Sequence, residues 1–362
     1  MTRATELTDL LLELCALPCV TGQEGPIADH LAARYERRGE RVRRVRSSLV
    51  VGEADGVRPT VLLVGHLDVV PPTDADREPR VDGDVVVGRG SSDMKGGLAV
   101  AMDCFEDERL RAGPYSLLLV AYAGEEGGHA GNELAPLLEA VPELRAADLA
   151  VVLEPTDLAV QLGCLGGLQA EVTVRGRAAH SARPWHGENA LTKAGALLAE
   201  LHERPPTAVI VDGLRYREVV TATAAWTGDP GAAGAARNVV PDRFTINLNY
   251  RFAPDKTLAE AEAHLVELVG DRGEVVVVDR APPGRPSRDA ELVAAFTAAV
   301  DAPVEAKQAW TDVARFSEVG VPALNYGPGL TSQAHQAGEH VPIANLVTAR
   351  VRLAEFLSGA VS

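Results

Sequence analysis

With 362 residues, 46% of them hydrophobic, the chain is long enough to bury at least one large core and is expected to fold as two domains. Its 51 acidic against 35 basic residues leave a formal charge of −16, which repels phosphate backbones and anionic lipid and so excludes nucleic acid and membrane surfaces as expected partners. No apolar run approaches the roughly 20 residues needed to span a bilayer, and the start Met1-Thr2-Arg3-Ala4-Thr5-Glu6 turns acidic early, so a cytoplasmic protein without a signal peptide is expected.

The first predicted helix runs from Glu6 to Leu17, because Leu10, Leu11, Leu14 and Leu17 recur at helical spacing. Gly22-Gln23-Glu24-Gly25 breaks it and a second helix follows. The Arg-rich stretch Arg37–Arg44, interrupted by Glu40 and Val42, reads as the exposed end of that helix leading into a strand. Val61–Val64 is apolar throughout, as in a strand buried on both faces, and ends in Gly65-His66-Leu67-Asp68. Pro71-Pro72 forces a turn, Gly88–Ser92 supplies a flexible loop before Asp93, and an apolar helix follows from Leu98 to about Phe105. Two further runs repeat the pattern: Leu117–Ala121 leads to Gly124-Glu125-Glu126, and Leu149–Leu153 leads to Glu154-Pro155. Strand alternating with helix predicts an α/β domain with a mainly parallel sheet.

After Gly163-Cys164-Leu165-Gly166-Gly167 the pattern changes, and Gln169–Val174 alternates polar with apolar. A helix near Asn189–Leu201, strands at Val219–Trp226 and Phe244–Phe252, a helix at Leu258–Leu268 and a strand at Val275–Val278 follow. This β-α-β-β-α-β order predicts an inserted ferredoxin-like α+β domain of four antiparallel strands and two helices. Its free sheet edge is expected to pair with a second copy in a homodimer. From Pro283 the first pattern resumes, with Val321–Asn325 followed by Gly327-Pro328-Gly329 and His335. The expected division is therefore 1–166, an inserted lid and dimerisation domain at 167–282, and 283–362. Gly228–Gly234 is expected to be a mobile loop. Cys15, Cys19, Cys104 and Cys164 lack zinc-knuckle spacing and read as buried small residues.

The adjacent carboxylates Glu125 and Glu126 at the end of a buried strand repel each other unless something positive or a proton sits between them. Polar groups gather where several strands end, and the carboxyl edge of an open α/β sheet is where ligands bind. The candidate metal ligands are His66, Asp93, Glu126, Glu154 and His335. Five ligands exceed the needs of one tetrahedral ion, but suit two ions that share one carboxylate and a water. Glu125 is left over beside that water, placed to act as general base. Asp68, two residues from His66, is expected to accept the second imidazole N–H. Each piece also has a plain structural reading: a histidine after a strand, a solvated acidic turn, and an aspartate capping a helix.

The segments Gly65-His66-Leu67-Asp68-Val69-Val70-Pro71, Gly88-Arg89-Gly90-Ser91-Ser92-Asp93-Met94-Lys95-Gly96-Gly97 and Gly124-Glu125-Glu126 occur in order. On them the chain resembles the dizinc M20 metallopeptidases and deacylases, nearly end to end. The resemblance implies Asp93 as bridging ligand, His66 and Glu154 on one zinc, Glu126 and His335 on the other, Glu125 as base and Asp68 behind His66. It also implies a cis Asp93-Met94 bond. Cobalt or manganese could replace zinc on such ligands.

Glu154–Asp157, Gly163–Gly167, His180–Trp185, Arg237–Pro241, Trp310–Phe316 and Asn325–Gly329 are most similar to the actinobacterial branch that removes succinate from N-succinyl-LL-2,6-diaminopimelate. That similarity implies a small N-acyl amino acid as substrate. Arg251, Arg315 and Arg183 are then candidates for its carboxylates, with Thr311 and Gly327 as further contacts. His180 and Asn238 match residues that, in similar enzymes, reach the partner subunit's active site and stabilise the oxyanion. Cys164 and Leu165 stand where many Gram-negative relatives carry basic residues. Deacetylation of N-acetylornithine, another N-acyl-amino-acid deacylase or carboxypeptidase activity, and a non-catalytic metal-binding role are the alternatives.

Overall fold

The computed structural model describes residues 2–228 and 237–359. From Asp229 on, the loop expected at Gly228–Gly234 lies outside the described residues. The chain forms two compact units, one of Met1–Gly163, Gly284–Lys307 and Thr311–Ser362, the other of Cys164–Pro283 with Gln308–Trp310. That last tripeptide joins the second unit through local bonds: Gln308 Nε2 donates to Arg215 O at 2.9 Å, and Trp310 Nε1 to Pro282 O at 2.9 Å.

In the larger unit an eight-stranded sheet runs in the spatial order Val42–Val45, Ser48–Val51, Ser116–Tyr122, Thr60–His66, Leu149–Val152, Ala323–Asn325, Val160–Leu162, Val304–Ala306. Its four central strands, from Ser116–Tyr122 to Ala323–Asn325, are mutually parallel. The pairs flanking them, Ser48–Val51 with Ser116–Tyr122 and Ala323–Asn325 with Val160–Leu162, are antiparallel. The central apolar runs are buried on both faces because helices cover one side and a cluster including Leu134, Leu137, Phe316 and Val321 covers the other. Burying each Leu, Val or Phe of this kind contributes about 1.5–3 kcal/mol. Val160–Leu162 and Val304–Ala306 escape a reading from sequence, since three residues are too few to display a period.

Helices Arg3–Ala16, Gly96–Glu106 and Ile343–Leu357 pack on one another. Between Ser91 and Lys95 the backbone leaves regular helix at Asp93 and Met94, and the Asp93-Met94 bond is cis. No helix among the described residues is long and apolar enough to cross a membrane.

The smaller unit is an antiparallel sheet ordered Thr207–Val211, Leu214–Thr227, Arg243–Phe252, Gly166–Arg175, Glu274–Ala281. It has five strands where four are expected. The extra edge strand is joined by a two-residue turn, Asp212-Gly213, with φ values of 50° and 78°. An Asp-Gly turn between apolar residues is a strong hairpin signal, and Val211-Asp212-Gly213-Leu214 carries it in plain view. The helix expected at Asn189–Leu201 is two pieces, Ala190–Lys193 and Gly195–Glu203, with Asn189 capping the first. Leu258–Val269 starts at a Thr257/Glu260 capping box. Leu197, Leu265 and Val269 pack with Leu168, Ile246 and Leu248, so one sheet face is apolar and the other is polar.

Candidate metal centre

The parallel register sets His66 beside Tyr122 and Val64 beside Val152, so three chain segments leave the sheet at the same edge. Asp68, fully buried, organises the turn that follows. Its Oδ1 accepts the Glu125 N–H at 3.0 Å, and its Oδ2 accepts the Glu126 N–H and the Thr21 hydroxyl, both at 3.0 Å. The expectation that the Asp68 carboxylate receives the His66 ring proton is therefore corrected. His66 Nδ1 lies 3.0 Å from the backbone oxygen of Asp68 and 3.7 Å from its carboxylate, which is committed to the glutamate turn.

The Glu154 segment is held by close backbone approach. A Cβ at Gly97 would stand 2.0 Å from Leu153 O, and one at Gly327 would stand 2.4 Å from Glu154 O. Gly327 is buried and donates its N–H to Thr156 Oγ1 at 3.0 Å. The absence of a side chain here lets two loops meet.

Asp93 stands between the two histidines. His66 Nε2 is 3.3 Å from Asp93 Oδ1, and His335 Nε2 is 3.8 Å from Asp93 Oδ2. Each histidine has its own glutamate as well: Glu154 Oε1 lies 4.0 Å from His66 Nε2, and Glu126 Oε2 lies 2.8 Å from His335 Nε2. One ligand-capable atom from each of His66, Asp93 and Glu126 falls within 4.8 Å of the others. Glu154 Oε1 is buried without a hydrogen-bond partner, as a carboxylate aimed at a cation would be.

The electrostatics express the same crowding. Burial, then Asp93, pushes the Glu154 carboxyl up to about 7 against the pull of His66 and Lys307. Burial, then Glu154, raises Glu125 well above the carboxylate range. Burial acts to lower His66, but its bond to Asp93 and the charges of Glu125, Asp68 and Glu154 hold it high. So many carboxylates in one buried place demand a counter-charge, and a divalent cation supplies the largest available.

Two residues expected to contact substrate, Arg315 and Thr311, also brace the protein internally. Arg315 is 5% exposed, with Nε 2.9 Å from Asp312 Oδ1 and Nη2 donating to His129 O at 2.6 Å. Thr311 is buried and donates to Asn325 Oδ1 at 2.9 Å. Arg315 belongs to a network around Asp312 that sequence reasoning missed. Asp312, buried and given no role by the sequence reading, accepts the Tyr122 hydroxyl at 2.6 Å and Asn132 Nδ2 at 2.8 Å. Tyr122 in turn meets the His66 ring edge-on at 6.3 Å. The available signal was Tyr122 itself, a polar-tipped residue ending an otherwise apolar strand.

The remaining candidates lie in the smaller unit. His180 and Asn238 share one small motif: Ala179-His180 pairs antiparallel with Val239-Val240, and Ser181 N–H donates to Asn238 O at 2.8 Å. Both are exposed, and His180 Nδ1 accepts the Ala182 N–H at 3.1 Å. Arg183 is exposed nearby. Arg251, half-buried in the strand Arg243–Phe252, pairs with Val219 and Gly167.

Residues 62–359 match the sequence profile of peptidase family M20/M25/M40. A succinyl-diaminopimelate desuccinylase of Corynebacterium glutamicum is 36% identical over 358 residues, covering 96% of this chain and 95% of that protein. An acetylornithine deacetylase of Myxococcus xanthus is 32% identical, covering 95% and 94%. Among solved structures, a tripeptidase from Staphylococcus aureus superposes with a TM-score of 0.79 at 20% identity, covering 99% of this chain and 98% of that one. The last likeness concerns the fold.

Proposed function

The chain belongs to peptidase family M20/M25/M40, and from that premise we propose that it is a desuccinylase hydrolysing the amide of N-succinyl-LL-2,6-diaminopimelate. The carrying observation is the 36% identity, over nearly the whole of both chains, to the Corynebacterium glutamicum desuccinylase. A cytoplasmic setting follows from such a biosynthetic reaction.

In this reading two zinc ions would be held by His66, Asp93, Glu126, Glu154 and His335, with Asp93 shared between a His66 and Glu154 set and a Glu126 and His335 set. The orphaned Glu154 oxygen, and the facing of Asp93's two oxygens toward different histidines, support that assignment. Oxygen and nitrogen donors without sulfur suit zinc, cobalt or manganese. Such ions, when bound, supply Lewis acidity for a carbonyl and a water acidic near neutral pH. Glu125 accepts the proton of the attacking water at its carboxylate and returns it to the departing amine nitrogen. Asp68 fixes the Glu125-Glu126 turn by accepting both backbone N–H groups. His180 and Asn238 are assigned to the oxyanion and Arg251 to a substrate carboxylate, with the smaller unit serving as lid and dimerisation domain. In that arrangement His180 acts in the partner subunit.

Steady-state turnover of N-succinyl-LL-2,6-diaminopimelate against N-acetylornithine, on zinc-loaded protein, is the test. A preference for the succinyl compound is expected. A preference for N-acetylornithine would move the chain to the activity named in the Myxococcus xanthus relative, and hydrolysis of neither would overturn the proposal.

A further inference from the structure

Glu339 lies four residues beyond His335, is 1% exposed, and takes no part in the mechanism above. Its Oε1 accepts the backbone N–H groups of Ser92 and of Asp93 itself, both at 2.9 Å. Its Oε2 accepts the Gly90 N–H at 2.9 Å and Arg89 Nη1 at 3.1 Å. Arg89 reaches Asp76 through Nη2 at 2.9 Å, and Asp76 Oδ2 accepts the Gly338 N–H at 3.0 Å. The Ser92 hydroxyl donates to His340 O at 2.8 Å and accepts the Leu330 N–H at 3.1 Å. The segment carrying Asp93 is thus gripped by the segment that carries His335.

We propose that Glu339 is a positioning residue for the metal centre, setting where the Asp93 carboxylate stands and coupling it to the His335 segment. The argument is one of donor count. A buried carboxylate with two donors on each oxygen has a single satisfied orientation, and the backbone it holds is fixed with it. Glutamine at this position would turn an NH₂ group toward one of the two donor pairs, leaving buried N–H groups unpaired. Because Asp93 faces both His66 and His335, a shift of its backbone disturbs the two ion sites together. This inference rests on the two-ion reading of the centre.

The test is zinc titration of the metal-free full chain against a competing chromophoric chelator, with circular dichroism and thermal melting of the same metal-free samples. In Glu339→Gln both zinc dissociation constants are expected to rise about 10–100-fold while the metal-free fold is retained. His335→Ala, by contrast, weakens one ion far more than the other. Asp76→Asn, which loosens Arg89 and the Gly338 N–H but removes none of the backbone donors to the Glu339 carboxylate, gives a smaller rise on both ions and serves if Glu339→Gln does not fold. Unchanged affinities, or loss of one ion only, in either folded variant would overturn the role given to Glu339. Wild-type protein that holds no pair of zinc ions would overturn the two-ion reading itself, a separate and distinguishable failure.

Discussion

In the larger unit the strand Ser116–Tyr122 is buried at every position, whereas in the smaller unit the strand Gly166–Arg175 alternates buried with half-buried residues from Leu168 to Val174. The first pattern belongs to a sheet covered on both sides, the second to a sheet with one wet face. The candidate chemistry follows the same contrast. His66, Asp68 and Glu154 sit at buried strand ends, held by backbone bonds and glycine contacts. His180 and Asn238 sit exposed on a ladder of two residues per strand. Of the candidate ligands and base, His66 and Glu154 lie in the buried framework, Glu125 and Glu126 are half-buried at its edge, and His335 is exposed in a turn.

That contrast predicts a ranked set of effects. Glu125→Gln should lower kcat by about 10³–10⁴-fold while elemental analysis still finds two ions per chain; retained turnover would remove the base from the edge of that framework. His180→Ala should lower kcat by about 10²–10³-fold with zinc affinity unchanged, and a loss of zinc would erase the division between the units. Gly327→Ala places a Cβ 2.4 Å from Glu154 O, so a stability loss of about 3 kcal/mol is expected in denaturant titration, with weaker zinc binding.

Two smaller effects separate framework from surface. Asp107, hydrogen-bonded to Arg109 and, against burial, to Arg350, has its carboxyl held far below the usual range. A depressed carboxyl stabilises the fold above the unfolded value, near 4, and that stabilisation is lost as pH falls through the folded value. Asp107→Asn should therefore cost about 1.5 kcal/mol at neutral pH and flatten the acid limb of a stability-against-pH curve. In the smaller unit, Thr257→Ala breaks the capping box of Leu258–Val269. A loss of about 1 kcal/mol with unaltered zinc binding is the expected reading, and any change in metal content would contradict the comparison.

Much of this was legible along the chain. Apolar runs ending in His66, Glu125-Glu126 and Glu154 announced both the parallel sheet and its functional edge, since burial on two faces and a sudden charge are local properties. The fifth strand, Thr207–Val211, was overlooked although its Asp-Gly turn was readable. For Thr311 and Arg315, residue type alone does not reveal that the first donates to Asn325 and the second pairs with Asp312.

The amino-acid order by itself determined the two sheet types, the insertion of one unit within the other and the set of acids and histidines at the strand ends, because periodicity and composition act over a few residues. Tertiary structure alone decided which oxygen of Asp93 faces which histidine, that Asp68 serves the backbone of Glu125 and Glu126, and that Glu339 grips a segment 246 residues away. Those pairings depend on where buried donors are left without partners once the sheet has formed. A buried N–H must be satisfied by whichever acceptor folding brings to it, however distant in the chain.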